Sequence, residues 1–152
     1  MPNIRIIVCP VDFSNASDEA ARYAVALAGK VGAPRVDLIH VFQRPVYVVP
    51  EMGYYVDASV EGSIRESLRR QLETLADRSA AEGVEIVTHL LEGVPYQAVV
   101  DHAEAVGADM IVMATHGRTG LTHFLLGSVA ERVVRTSPVP VCTLRVEEGR
   151  RA

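Results

Sequence analysis

Apolar positions along the chain gather into two kinds of stretch, and the two kinds alternate from one end to the other. The first is a nearly unbroken apolar run over residues 4–12, Ile-Arg-Ile-Ile-Val-Cys-Pro-Val-Asp, the pattern of a strand covered on both faces. The second has a period near 3.6. Over residues 16–31, Ala20, Tyr23, Ala24, Leu27 and Ala28 fall on one helical face. Asp12 closes the strand, Ser14 and Ser17 are candidate helix caps, and Gly32 followed by Pro34 is a stop signal. Residues 36–42 predict a second strand. A second helix is expected over 61–82, with Ile64, Leu68, Leu72 and Leu75 at helical spacing, charges opposite and Gly83 at its end. Residues 84–91 alternate as a third strand. Pro95 then sits in the first turn of a third helix with Val99, Val100 and Ala103 facing inward, and Gly107 stops it. Asp109 opens a fourth strand over 110–114. A fourth helix is expected over 129–136, broken at Ser137-Pro138, then a fifth strand over 139–146 and a polar tail over 147–152.

Residues 43–60 break this rhythm. The connection is long, apolar and aromatic, so it packs on something: the core, a ligand beneath it as a lid, or another subunit. No internal repeat or linker interrupts the rest, and residues 1–152 are expected to form one domain. Strongly apolar strands alternating with helices predict an open parallel α/β sheet with helices on both faces, joined by right-handed crossovers. Such sheets bind ligands beyond the carboxyl ends of their strands, where strand order reverses. Asp12, residues 41–42 and residues 113–117 all lie at such ends. One pocket is therefore expected to join them, with Asp12 accepting hydrogen bonds from ribose hydroxyls and Val41 and Met113 holding a flat base.

The stretch from Ala114 to Ser128 lies between the fourth strand and the fourth helix. Gly117, Gly120 and Gly127 permit tight turns and a close ligand approach. Ser128 stands where a helix N-cap belongs, with Glu131 three residues on as in a capping box. Unpaired amides at a helix start suit an anion, most often a phosphate. The same joint also serves α/β proteins for purely structural reasons, and the local pattern alone leaves both readings open. It is neither a P-loop, since Lys30 is the only lysine, nor the Gly-x-Gly-x-x-Gly dinucleotide loop.

Composition narrows the partners. The formal net charge is −4 and the 15 basic residues are spread along the chain, with no basic block, which argues against nucleic acid. No apolar run is long enough to span a membrane and the N-terminus lacks signal-peptide features, so the expectation is a cytoplasmic protein. Cys9 and Cys142 each sit within an apolar strand-like run and read as small buried hydrophobes. His40, His89, His102 and His123 share no metal-ligand spacing, which argues against a zinc site. His116 is placed either to hydrogen-bond a phosphate or to brace the loop, and Arg118 either to pair with a phosphate oxygen or to remain solvated.

Ala114-Thr-His-Gly117, nine residues, then Gly127-Ser128-Val129-Ala-Glu and Pro138-Val-Pro-Val closely resemble the universal stress protein signature. Asp12-Phe-Ser14-x-x-Ser17 and Asp109-Met-Ile-Val-Met113 match other parts of that pattern, so the likeness covers essentially the whole chain. The resemblance implies a Rossmann-like sheet, similar to that of the adenine nucleotide α-hydrolases, of five parallel strands in the order 3-2-1-4-5. It implies ATP at the switch between strands 1 and 4, with Mg2+ (or Mn2+) held through the phosphates. Carried over, Asp12 contacts ribose; Pro10, Val11, Val41 and Met113 surround adenine and sugar; Gly117, Gly127, Ser128 and Val129 meet phosphate. In that order Cys9 and Cys142 are separated by strand 4, too far apart for a disulfide. Ala114 stands where the family motif has its first glycine, and its methyl is expected to crowd a ligand or restrict φ.

The reading that follows is a nucleotide-sensing regulatory protein, with an unknown protein partner and at most slow hydrolysis, since no nucleophile–base–orienter set is visible. A homodimer through the apolar edge over 139–146 is expected, because a bare edge strand invites aggregation. One alternative is a nucleotide-free dimeric scaffold. Another is an adenine-nucleotide hydrolase or transferase, although neither a Ser-Gly-Gly-x-Asp-Ser loop nor a His-x-Gly-His motif occurs.

Overall fold

The first apolar run forms β1 (Ile6–Pro10), shorter than its pattern suggests because the ladder gives way to a turn at Asp12. In the computed structural model, which describes residues 3–44, 47–51, 53–55, 58–116 and 126–146, ten further elements follow. They are α1 (Asn15–Val31), β2 (Arg35–Phe42), β3 (Tyr47–Val49), β4 (Gly53–Tyr55), α2 (Ala58–Ser79), β5 (Glu85–Glu92), α3 (Pro95–Val106), β6 (Met110–Ala114), α4 (Ser128–Thr136) and β7 (Val141–Leu144). Five strands form one sheet in the order β5-β2-β1-β6-β7, every pair parallel. Counting only these five in chain order, this is 3-2-1-4-5. β1 is central, and the chain leaves it toward β2 on one side and returns to β6 on the other.

Alternating side chains along each strand face opposite layers. Ile7, Cys9, Val36, Leu38 and Val112 pack with Ala20, Ala24, Ala28, Leu72 and Leu75 of α1 and α2. Val8, Ile39, Ile111 and Met113 pack with Val99, Ala103, Ala130 and Val133 of α3 and α4. Two helices therefore cover each face. Cys9 and Cys142 are free thiols on β1 and β7, with β6 between them. Burial of Cys9 pushes its thiol up to about 12.

Local signals set most boundaries. The Ser14 hydroxyl accepts from the Ser17 amide at 3.2 Å and caps α1. Ser17 is not a second cap. It is buried in the first turn, donating to the Ser14 carbonyl and accepting from the Asp12 amide. Gly32 ends the helix at φ 73°, the left-handed conformation in which glycine carries no Cβ penalty. The face of α1 is rotated from expectation: Tyr23 is 44% exposed, and Ala21 and Val25 are buried in its place. Tyr23 is too bulky for the small-residue seam by which α1 lies close against the sheet.

The connection over 43–60 is not a featureless loop. β3 and β4 form an antiparallel hairpin pairing Tyr47 with Tyr55 and Val49 with Gly53, and α2 begins at Ala58.

Candidate functional site

Two chain segments diverge from the carboxyl ends of the central strands. From β1 the chain turns through Asp12 and Phe13 into α1, on one face of the sheet; from β6 it passes through Thr115 and His116 toward α4, on the other. A crevice of about 340 Å³ lies at this divergence, within the usual size of small-molecule sites, about 300–1,000 Å³. Its apolar wall includes Val11, Ile39, Val41, Met113 and Val129, and its polar groups come from Asp12, His40, Thr115, His116 and Ser128.

The β1 side of the crevice is tightly built. Asp12 Oδ1 accepts from the Ser14 amide at 3.0 Å, closing a turn that holds the carboxylate at the strand end. Between them Phe13 has φ 63°, a strained value for a residue with a side chain, and its ring lies 4.6 Å from that of His40. His40 Nδ1 donates to the Val11 carbonyl at 2.8 Å, which fixes the tautomer of the neutral ring. Phe13 and His40 give no signal in the sequence, since a positive φ is not written in a phenylalanine.

On the β6 side, the Gly127 amide donates to the Thr115 carbonyl at 2.7 Å, drawing the start of α4 against the end of β6. A Cβ at Gly127 would lie 3.1 Å from that carbonyl oxygen. Its φ is −59°, so the glycine answers to this close approach and not to an unusual backbone. Gly127 is also the N-cap. Ser128 is the first residue of α4 and Glu131 pairs with Arg135, so the predicted capping box with Ser128 at the N-cap is not formed. The shift by one residue follows from the Gly127–Thr115 bond, which makes Gly127 the cap and starts the helix one residue earlier than expected. The first amides of α4, from Ser128 onward, have no partner within the helix and open on the crevice. Thr115 Oγ1 and His116 Nδ1 are 2.9 Å apart, and His116 Nε2 is buried without a hydrogen-bond partner among the described residues.

Ten of the twelve predicted site residues line this one crevice: Pro10, Val11, Asp12, Val41, Met113, Ala114, His116, Gly127, Ser128 and Val129. Gly117 and Arg118, like Gly120, His123 and the tail, lie outside the described residues. Ala114 does not restrict the backbone as expected. It ends β6 in register with Leu144, without positive φ, and packs with the core beneath α1.

A second polar cluster, outside the lining of the crevice, shows no metal-ligand spacing in the sequence. Asp37 of β2 is fully buried. Arg35 grips it with a fork, Nε to Oδ1 at 2.6 Å and Nη2 to Oδ2 at 2.9 Å. His102 Nε2 of α3 lies 3.0 Å from Oδ2, and His89 Nε2 of β5 lies 3.1 Å from the same oxygen. The His89 contact has ion-pair distance without hydrogen-bond alignment, and its Nε2 is buried without a hydrogen-bond partner among the described residues. Burial alone raises the Asp37 pKa, but hydrogen bonds from His102 and Arg35 outweigh it and draw the carboxyl down to about 2. Burial holds His89 below the usual imidazole range, against the pull of Asp37. Residues 37, 89 and 102 meet only because β5 pairs with β2 and α3 crosses over both.

The profile of the universal stress protein family matches residues 3–145. A universal stress protein of Methanocaldococcus jannaschii, MJ0531, is 37% identical over 91% of this chain and 81% of its own. The solved structure of MJ0577, a universal stress protein of the same organism, superposes with TM-score 0.81 at 27% identity, covering 97% of this chain and 99% of the other. A universal stress protein from Archaeoglobus fulgidus in complex with dAMP shares the fold at TM-score 0.61 and 24% identity, covering 94% and 98%.

Proposed function

The chain belongs to the universal stress protein family, and from that premise we propose that it binds an adenine nucleotide, ATP with Mg2+ (or Mn2+), in the crevice between β1 and β6. The observation that carries this reading is the convergence of three chemistries on one cavity: an apolar slot, a carboxylate at a strand end and the open amides of a helix start. Val11, Val41 and Met113 offer flat apolar contact to a base. The Asp12 carboxylate, oriented by the Ser14 amide, accepts from ribose hydroxyls. The Ser128 and Val129 amides and the Ser128 hydroxyl donate to phosphate oxygens, and the positive end of α4 favours their charge. The buried Nε2 of His116 fits a phosphate oxygen as its missing partner. The divalent ion neutralises phosphate charge. A relative sharing the fold has been solved with dAMP; that likeness is one of fold, and this chain's own crevice carries the reading.

The biological role we propose is regulatory: bound nucleotide organises the mouth of the crevice, and a protein partner reads the result, with hydrolysis slow at most. We further propose a homodimer through the β7 edge.

Isothermal titration with ATP and Mg2+ tests the binding reading. Saturable heat near one equivalent is expected, lost in Gly127→Val and weakened roughly tenfold or more in Asp12→Ala, which removes hydrogen bonds to a charged acceptor. Circular dichroism reports whether each variant is folded. No heat from the parent protein favours a nucleotide-free scaffold, and unchanged affinity in both folded variants places the nucleotide elsewhere. Mass spectrometry of small molecules released from fresh protein distinguishes ATP from AMP, ADP and cyclic nucleotides.

A further inference from the structure

We infer that Asp37, His89 and His102 form a binding site for one divalent transition-metal ion, independent of the nucleotide crevice. The three residues each offer one donor atom, and these atoms all lie within 4.8 Å of one another. Two imidazoles and a carboxylate form a donor set suited to zinc, with a fourth position left for water.

The arrangement is not explained by satisfying Asp37 alone. The Arg35 fork compensates the buried charge and occupies both carboxylate oxygens, and His102 adds a further contact at Oδ2. His89 then brings a third nitrogen to an oxygen whose in-plane lone pairs number two. Its Nε2 gains no aligned hydrogen bond there, yet is buried from water. A cation seated between Oδ2 and the two Nε2 atoms resolves this crowding. It takes a lone pair from each imidazole and one from Oδ2, and leaves Arg35 to orient the carboxylate from behind.

The two separations to Asp37 are near what such a centre needs. Zinc with nitrogen and oxygen ligands at about 2.0–2.1 Å separates neighbouring donors by roughly 3.3 Å in a tetrahedron. The observed Asp37–His102 and Asp37–His89 separations of 3.0 and 3.1 Å therefore require an opening of only a few tenths of an ångström, and the two imidazole nitrogens, within 4.8 Å of each other, close on the ion by a turn of the His89 ring. The His89 side chain, 28% exposed, gives the ion a route from solvent and room for its ring to turn. The Arg35 charge lowers affinity, so the site suits reversible occupancy more than a permanent structural ion.

The test uses zinc alone on the full chain, without nucleotide, which would itself chelate the metal. Equilibrium dialysis is expected to give one zinc per chain, weakened at least tenfold by His89→Gln and likewise by His102→Gln. Cobalt substitution supplies a readout on the parent protein that needs no variant: visible bands of four-coordinate nitrogen and oxygen ligation, without a thiolate charge-transfer band. His116→Gln, in the crevice, should leave zinc binding unchanged. Absence of saturable binding, equal binding by a folded His89→Gln, a thiolate band, or loss only in His116→Gln would each overturn the proposal.

Discussion

At Gly127 a single hydrogen atom in place of a methyl lets the start of α4 approach the end of β6 closely. The carbonyl of Thr115 stands 3.1 Å from where a Cβ would be, and it is already held by the Gly127 amide. Gly127→Ala must therefore shift the Thr115 carbonyl by a few tenths of an ångström and strain that bond. The expected cost is about 1–3 kcal/mol, read as a lowered urea midpoint with unchanged slope. The thiols give a second prediction at this scale. Cys9 is fully buried with its ionisation pushed up to about 12, whereas Cys142 is partly exposed. Native protein treated with iodoacetamide should be labelled at Cys142 alone, and at both after unfolding; rapid native labelling of Cys9 would contradict the packing of β1. Several residues of the crevice were legible because their chemistry coincides with a position in the pattern: Asp12 ends an apolar run, and Gly127 precedes a helix. Asp37 was not, because an acid within an apolar strand carries no mark of the two histidines that meet it in space.

Among the elements, joints at sequence-marked ends came out as expected and those governed by tertiary contact did not. Ser14 and Gly32 bound α1 through local hydrogen bonding and backbone conformation, which sequence states directly. The start of α4 is instead set by the Gly127–Thr115 bond, so Ser128 became its first residue and not its cap. The hairpin of β3 and β4 lay in a stretch whose apolar and aromatic content masks a period of two across three-residue strands. Asp109 illustrates how an element is anchored. Its Oδ2 accepts from the Arg5 and Ile6 amides at 2.8 and 3.0 Å, fastening the entry of β6 to β1, and these bonds hold its pKa below the ordinary carboxylate range. On acidification the unfolded chain takes up this proton first, so the contribution is present above the ordinary value and lost as pH falls through the folded one. Urea unfolding of the parent and Asp109→Asn should differ at pH 7, and the gap should narrow toward pH 3. A gap independent of pH would show that the charge is irrelevant to the joint.

Across the whole molecule, the alternation of apolar runs and helices was enough to read a parallel sheet covered on both faces. The order of its strands came from resemblance, since no periodicity states which strand lies beside which. That order creates the crevice, by sending the chain to opposite faces after β1 and β6, and it also assembles the Asp37 cluster under α3. Among the described residues, β7 pairs only with β6 and leaves one side of its ladder open. Light scattering at micromolar concentration should therefore give twice the mass of the 16.5 kDa chain, and a monomer would remove the β7 edge as an interface.

Everything proposed for the crevice depends on where a nucleotide sits. A crystal structure of the chain grown with ATP and Mg2+ tests it most directly. Adenine is expected between Val11, Val41 and Met113, with ribose hydroxyls on Asp12 and phosphates on the first amides of α4. Nucleotide bound away from the β1–β6 crevice, or a crevice closed by its own side chains under saturating ATP, would contradict it.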